Sequence, residues 1–336
     1  MKISHTHRSR SLGLFFFAFF FLGSASFAHA AYPIEQIPGG NEVVGDFVVG
    51  PTKTDLTLTP GKEQVVELMV TNRMGDRRLF NLSTEDVKGS TDPATTVVLL
   101  GDDRGPYSLK DYLKFPEASF ELGQGERARI PVTVKVPADA QPGGLYGTVI
   151  VTTTSLPAKD DPTIKQAGAK AGSVIVSRIG SLFFITVPGG VEKEGHVKSF
   201  SVLPQGKKVF TEEEPIHFQI LFENTGSVHL NPYGVVTIRN MLGEEVGSVI
   251  ADPWFAFPKS LRLRELVWNT KYLFGYYTAE ARINRGYDNK EDLMKVSFFV
   301  LPWKPVLLVL VVLLVVFFGI RGVVGRFEFK RKTKNV

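Results

Sequence analysis

Apolar residues recur at every second position through most of the chain, the period of a strand with one buried and one wet face. In IPVTVKV, Ile130, Val132, Val134 and Val136 share one side, and Pro131, Thr133 and Lys135 the other. EPIHFQILFE does the same with Ile216, Phe218, Ile220 and Phe222 inward. These runs are short, rich in Val, Ile, Thr and Phe, and punctuated by Gly, Pro and Asn, which predicts an all-β chain between its two ends. Pro131 lacks an N–H, so its place in a strand implies an edge or an outward-pointing position. One stretch breaks the period: SLKDYLK, 108–114, reads as a one- or two-turn helix capped by Ser108 with Asp111. LRLRELVW carries two phases, Leu261 and Leu263 against Leu266 and Trp268, which a β-bulge near Arg264–Glu265 would reconcile.

The pattern occurs twice. LTPGKEQVVELMVTNRMGDRRLFNL, from 58, and FTEEEPIHFQILFENTGSVHLNPYG, from 210, both run turn, alternating strand, Asn and Gly, strand. Asn72 with Gly75 answers to Asn224 with Gly226, and a later Gly-x-Tyr opens a strand at Tyr146 and at Tyr277. Two tandem Ig-like β-sandwich domains follow, 43–188 and 194–302, joined by PGGVEKEG. The polar segment 155–172 is placed inside the first domain as a long loop, because SVIVSRIGSLFFITV, 173–187, supplies that sandwich's last strand.

At the ends the period disappears. Residues 1–30 have a basic start, an apolar run from Leu12 to Leu22 and Ala28-His29-Ala30, the layout of a cleaved signal peptide. PVLLVLVVLLVVFFGIRGVVG, 305–325, has no polar face and reads as a single transmembrane helix. Arg321 would snorkel, and Trp303 with Lys304 would sit in the outer interface. The stretch from Arg321 to Val336, with the tail 326–336, carries six Lys/Arg and one acid, the mark of a cytoplasmic end. The expected localisation is therefore a cell membrane crossed once, with the ectodomain outside and the C-terminus inside.

Charge and cysteine then narrow the function classes. The chain has 39 basic and 34 acidic residues; without the signal and the stretch from Arg321, 30 face 33, a net of −3. The basic balance is thus topological and gives no support to nucleic-acid binding. Absence of Cys excludes thiol catalysis, cysteine-ligated metals and disulfides, so the exported part must hold by core burial.

Candidate chemistry is sparse. FENTGSVHLNPYG, 222–234, is the richest polar cluster, yet His229 has neither a nucleophile elbow nor an orienting acid nearby in sequence. It reads as a corner between strands, since Asn and Gly accept tight-turn angles. No catalytic, cofactor-binding or metal residues are assigned: His196, His217 and His229 lack zinc spacing, and no cofactor is implied. Asp288, Asn289, Glu291 and Asp292 bring oxygen ligands together, but without the calcium-loop pattern they read as a solvated hairpin. Two aromatic-rich connections, DPWFAFP and YLFGYY, supply candidate partner-binding residues: Trp254, Phe255, Phe257, Tyr272, Phe274 and Tyr276. The competing reading is that these rings plug the ends of the sandwich.

SLKDYLKFPEASFELGQGERARIPVTVKVPADAQPGGLYGTVIV, with SRIGSLFFITVPG after it, resembles the first Ig-like domain of the bacterial WxL-interacting cell-surface proteins. The shared features are Phe-x-Leu-x-x-Gly, the strand ending in Val136-Pro137-Ala138-Asp139-Ala140, Pro142-Gly143 and Tyr146. The resemblance implies a non-enzymatic surface protein whose domains contact cell-wall polymer (peptidoglycan) or partner surface proteins, held to the lipid bilayer by its C-terminal helix. HLNPYGVVTIRNMLG and PKSLRLRELVW of the second domain match less well. The alternative expectation is a chaperone-like or accessory subunit that binds exported partners by β-strand addition. An unpaired edge with alternating pockets favours it; paired or charged edges count against it.

Overall fold

The computed structural model describes residues 32–40, 42–155, 176–211, 214–270 and 273–326. The signal segment 1–30, the tail from 327, most of the 155–172 loop and Tyr272 fall outside the described residues.

The alternating runs form two β-sandwiches. The first holds β1 (Ile34–Gln36), β2 (Asp46–Gly50), β3 (Lys53–Thr57), β4 (Glu63–Arg73), β5 (Arg78–Lys88), β6 (Val98–Leu99), β7 (Leu113–Lys114), β8 (Ser119–Leu122), β9 (Glu126–Lys135), β10 (Gly143–Ser155) and β11 (Ser177–Val187). The second holds β12 (Gly195–Val202), β13 (Val209–Phe210), β14 (Ile216–Asn224), β15 (Tyr233–Asn240), β16 (Glu245–Ala251), β17 (Ser260–Trp268), β18 (Gly275–Asn284) and β19 (Glu291–Val300). No sheet mixes strands of the two sets. β1 lies ahead of the expected start at 43: it pairs with β9, and Tyr32 beside it packs its ring edge-on against Phe120 at 5.4 Å.

The repeat is written into the topology. In domain one the sheet order β9-β4-β2 faces β3-β11-β10-β5; in domain two β17-β14-β12 faces β13-β19-β18-β15-β16. In each, the opening strand pairs antiparallel with the next long one, then changes sheet and runs parallel to the last strand. Inward positions are the alternating ones. Ile130, Val132, Val134 and Val136 are fully buried in one core, and Ile216, Phe218, Ile220 and Phe222 in the other. Pro131 sits where β9 has lost its neighbour. β1 ends before it and β7 begins after it, and the Arg129 N–H on that same side reaches back to Pro33. Its missing donor costs the ladder nothing.

Two local expectations change. β14 and β17 pair without interruption from Ile216↔Trp268 to Asn224↔Ser260, so there is no bulge at Arg264–Glu265. Leu266 and Trp268 face the core, and the same face carries Arg262 and Arg264 opposite Phe222 and Ile220, while Leu261 and Leu263 are half-buried on the other side. SLKDYLK forms one 3₁₀ turn, Lys110–Tyr112, with no side-chain cap from its own N-cap residue, Leu109. Asp86 of β5 caps it instead: Oδ1 accepts the N–H groups of Leu109 and Lys110, both at 2.9 Å.

The chain leaves domain two through a single helix, α1 (Trp303–Arg326). Its 22 residues Trp303–Val324 are long and apolar enough to cross a membrane, and all of them are exposed except the half-buried Val306. At ~1.5 Å per residue, those 22 residues cover about 33 Å.

Candidate functional site

Asn72 and Asn224 end equivalent strands and are fully buried. Asn72 Nδ2 donates to the carbonyls of Asp76 and Leu122, both at 2.8 Å, and its Oδ1 accepts the Met74 N–H at 2.9 Å. Asn224 repeats this with the carbonyls of Val228 and Ala256, both at 2.9 Å, and the Gly226 N–H at 3.0 Å. Each amide spends both donors and its acceptor on closing a turn and tying it to a distant strand end. The 222–234 cluster is a corner.

His229, in that corner, also joins the domains. Its backbone N–H donates to the Tyr146 hydroxyl at 2.7 Å, leaving the hydroxyl proton facing Nδ1 at 3.3 Å. Nε2 then faces Asp55 Oδ1 of β3 at 3.1 Å. Lys53 pairs with Asp55 at 2.6 Å and lies over the rings of Phe184 and Phe255. Burial opposes the charge on Asp55, but its bonds to His229 and Lys53 outweigh that and hold its carboxyl below the usual range. Burial raises the Tyr146 phenol well above its ordinary value. Tyr146 is fully buried and the His229 side chain nearly so, and the two face each other across the domain boundary.

Around them lies a small third core. Phe257 of domain two packs against Tyr146 and Phe184 of domain one with centroids 5.1 and 4.9 Å apart, beside Val87. The Leu261 N–H donates to Ser90 O at 2.9 Å, and Arg262 bonds Thr96. At Gly89 an added Cβ would stand 2.5 Å from Ser260 and 2.6 Å from Phe257, so the two domains touch backbone to side chain there.

The six candidate aromatics therefore part company. Trp254 and Phe257 are interior, at 4 % and 1 % exposure, and Phe255 packs on Phe184, so the surface these three meet is inside the chain. Phe274 and Tyr276 remain exposed, at 63 % and 46 %. Asp288 and Asn289 take left-handed angles at the tip of a hairpin. Asp292 is turned away from it, accepting from Arg285 at 2.5 Å and from the Val197 N–H at 2.7 Å. Among the described residues no three His, Asp or Glu groups converge on a metal-sized space. Sequence reasoning missed the Asp55–His229–Tyr146 junction. Tyr146 lies 83 residues from His229, so no local pattern reports the junction.

Strand edges are the remaining candidates. In domain two, edge strand β17 points Arg262 and Arg264 inward, a known guard against strand pairing. Edge strand β12 is bulged between Val197 and Ser199, with the Val197 N–H taken by Asp292, and β13 has two residues. In domain one, β1 has three residues and β2 five. β11 differs: β3 covers only Leu182–Thr186. The Leu182 N–H donates to Thr52 O on that side at 3.0 Å, so by alternation the N–H and C=O of Arg178 and Gly180 point the same way. Among the described residues they meet no backbone partner. Half-buried Ile179 lies between them against the domain-one core. Domain one also has a groove of about 380 Å³ of mixed lining, with Arg104, Tyr107, Tyr112, Asp139 and Gln141 among its residues and Ser227 of domain two closing it.

No family model and no curated relative matches this chain, the WxL-interacting family included. Among solved structures, it is similar to the class 5 fimbriae chaperone CfaA, at 13 % identity over 75 % of this chain and 99 % of that one, with a TM-score of 0.35. The E. coli chaperone DraB gives 13 % over 75 % and 98 %, TM-score 0.33. A protein of unknown function from Porphyromonas gingivalis W83 gives 14 % over 75 % and 99 %, TM-score 0.27.

Proposed function

We propose that this chain is a non-enzymatic, membrane-tethered accessory protein whose ectodomain, outside the cell, binds an exported protein by accepting its strand at the free edge of β11. The observation that carries it is the outward-facing backbone of Arg178 and Gly180, unpaired among the described residues; β17 is guarded by inward arginines, β12 is bulged, and the seven-residue edge β16 shifts register at Val246. An unsatisfied edge recruits a strand through main-chain hydrogen bonds, and the half-buried Ile179 beside it offers an apolar neighbour for alternate side chains of the incoming segment. The segment 1–30 would direct export and α1 would hold the protein to the bilayer.

The test uses the full chain expressed in a bacterial membrane with exported proteins present. Arg178→Pro removes one outward N–H without touching the bonds to β10, and Arg178→Ala controls for the lost Glu85 ion pair. Loss of co-purified exported protein with proline, and its retention with alanine, is expected; equal capture by both sinks the reading. A second reading, binding of cell-wall polymer, is favoured by the tyrosine-bearing groove of mixed lining at Tyr107 and Tyr112, with Arg104, Asp139 and Gln141 beside them. Retention on purified wall that survives Arg178→Pro and is lost in a Tyr107→Ala, Tyr112→Ala double variant would select it.

A further inference from the structure

The end of domain two from which the helix leaves is unusually apolar. β15 finishes there at Asn240 opposite Tyr277, β18 begins there at Gly275 opposite Val300, and α1 starts three residues after Val300. Two tips project at this end. Met241 and Leu242, in the turn after β15, are 64 % and 76 % exposed, and a Cβ added at Gly275 would stand 3.1 Å from Met241 Cε. Phe274 is 63 % exposed although its backbone is pinned, its N–H and C=O both bonded to the Tyr277 hydroxyl at 3.1 Å. An apolar side chain held out into solvent by a fixed backbone asks for a partner.

The helix says which partner. Leu301 and Trp303 donate backbone hydrogen bonds to Phe210 and Thr211, so the departure of α1 is tied to domain two rather than left on a loose linker. A hollow of about 500 Å³ separates helix and domain, lined by Leu273 and Phe274 on one side and Pro305, Val306 and Val309 on the other. Val309 is six residues into the helix, or ~9 Å along its axis. Placing Val306 and Val309 in hydrocarbon therefore carries Phe274 to the same depth.

We infer that this end of domain two is a lipid-binding surface: Phe274, Met241 and Leu242 enter the outer leaflet and an acyl chain fills the hollow. The inference rests on α1 spanning the bilayer. Aromatic and long apolar side chains at the headgroup boundary are how proteins fix their height on a membrane, and Trp303 with Lys304 over its ring adds an interfacial pair at the same level. Domain two would then stand docked on the lipid instead of swinging from a tether.

The chain has no cysteine, so single-cysteine variants of the full-length protein report one position each. Phe274→Cys, Leu242→Cys, Val312→Cys in the helix and Val65→Cys in domain one would carry a nitroxide in phosphatidylcholine vesicles. Power saturation then compares access to oxygen with access to a water-soluble nickel chelate. Labels at 274 and 242 should show an oxygen-to-nickel ratio several-fold above that at 65 and approaching that at 312. A ratio at 274 and 242 equal to that at 65, with 312 in lipid, overturns the docking while leaving the span intact. An aqueous ratio at 312 removes the span and the docking with it.

Discussion

Two asparagines show how much a single side chain decides here. Asn72 and Asn224 each donate to two carbonyls and accept one N–H, and alanine would remove all three bonds at either corner, although the Gly226 N–H and the Ala256 carbonyl keep Glu194 and Leu230 as partners. Either substitution should cost about 1–3 kcal/mol, the range for a buried hydrogen-bonding side chain removed, read as a lowered urea midpoint. Asn224→Asp keeps the acceptor and loses both donors, so it should be no milder than alanine; near-neutral behaviour would mean the turn does not depend on the amide. Asp55 makes a prediction of the opposite kind, in pH. Its folded carboxyl titrates below the unfolded value, so its contribution is present above the ordinary carboxylate range, near pH 4, and is lost as pH falls through the folded value. The melting temperature should drop more steeply between pH 5 and pH 3, roughly that window, in the native chain than in Asp55→Asn. The asparagines were legible in the sequence because their turns are local and occur twice. The partners of His229 were not, since Tyr146 is 83 residues away and nothing in the local pattern reports so distant a neighbour.

At the scale of elements, the two-residue period gave nearly every long strand, because a strand half in water cannot hide which face is buried. It failed where polar residues face inward. In β17 the shift from Leu261 and Leu263 to Leu266 and Trp268 looks the same whether the strand is bulged or whether Arg262 and Arg264 occupy the core-side phase. The 3₁₀ turn at Lys110 was visible, but its cap was not, because Asp86 comes from another strand. The arginines make their own prediction. Arg264 has no polar partner among the described residues, its Nε is buried, and burial together with Arg264 keeps the neighbouring Arg262 below its usual pKa. Removing that charge should therefore not weaken the fold, but it should expose an edge. Arg264→Val is expected to melt no lower than the native chain while sedimenting as a mixture of monomer and larger species. A strictly monomeric Arg264→Val would show that β17 needs no guard.

Across the whole molecule the period describes each sandwich and is silent about how they meet, since ring-rich connections such as DPWFAFP look alike whether they cover a sandwich end or bind something else. Here they do both: Trp254 closes its own core, and Phe257 enters the neighbouring domain. A wedge of that size sets the angle between the domains, and a strand bound at β11 would be presented relative to the membrane through that angle. Truncating it in Phe257→Ala should cost about 3–5 kcal/mol, the range for a buried Phe, since Tyr146 and Phe184 would be left facing a void. Stability alone would not separate loss of packing from loss of geometry, so the informative measurement is a distance. Spin labels at Val65→Cys and Val246→Cys, one exposed position in each domain, should give one narrow distribution in the native background. In Phe257→Ala that distribution should broaden while both labels stay on folded domains. An unchanged width would assign the interdomain angle to the Asp55–His229–Tyr146 chain and the Leu261–Ser90 bond, which survive the substitution, and the same distance in His229→Ala would then be the one to move.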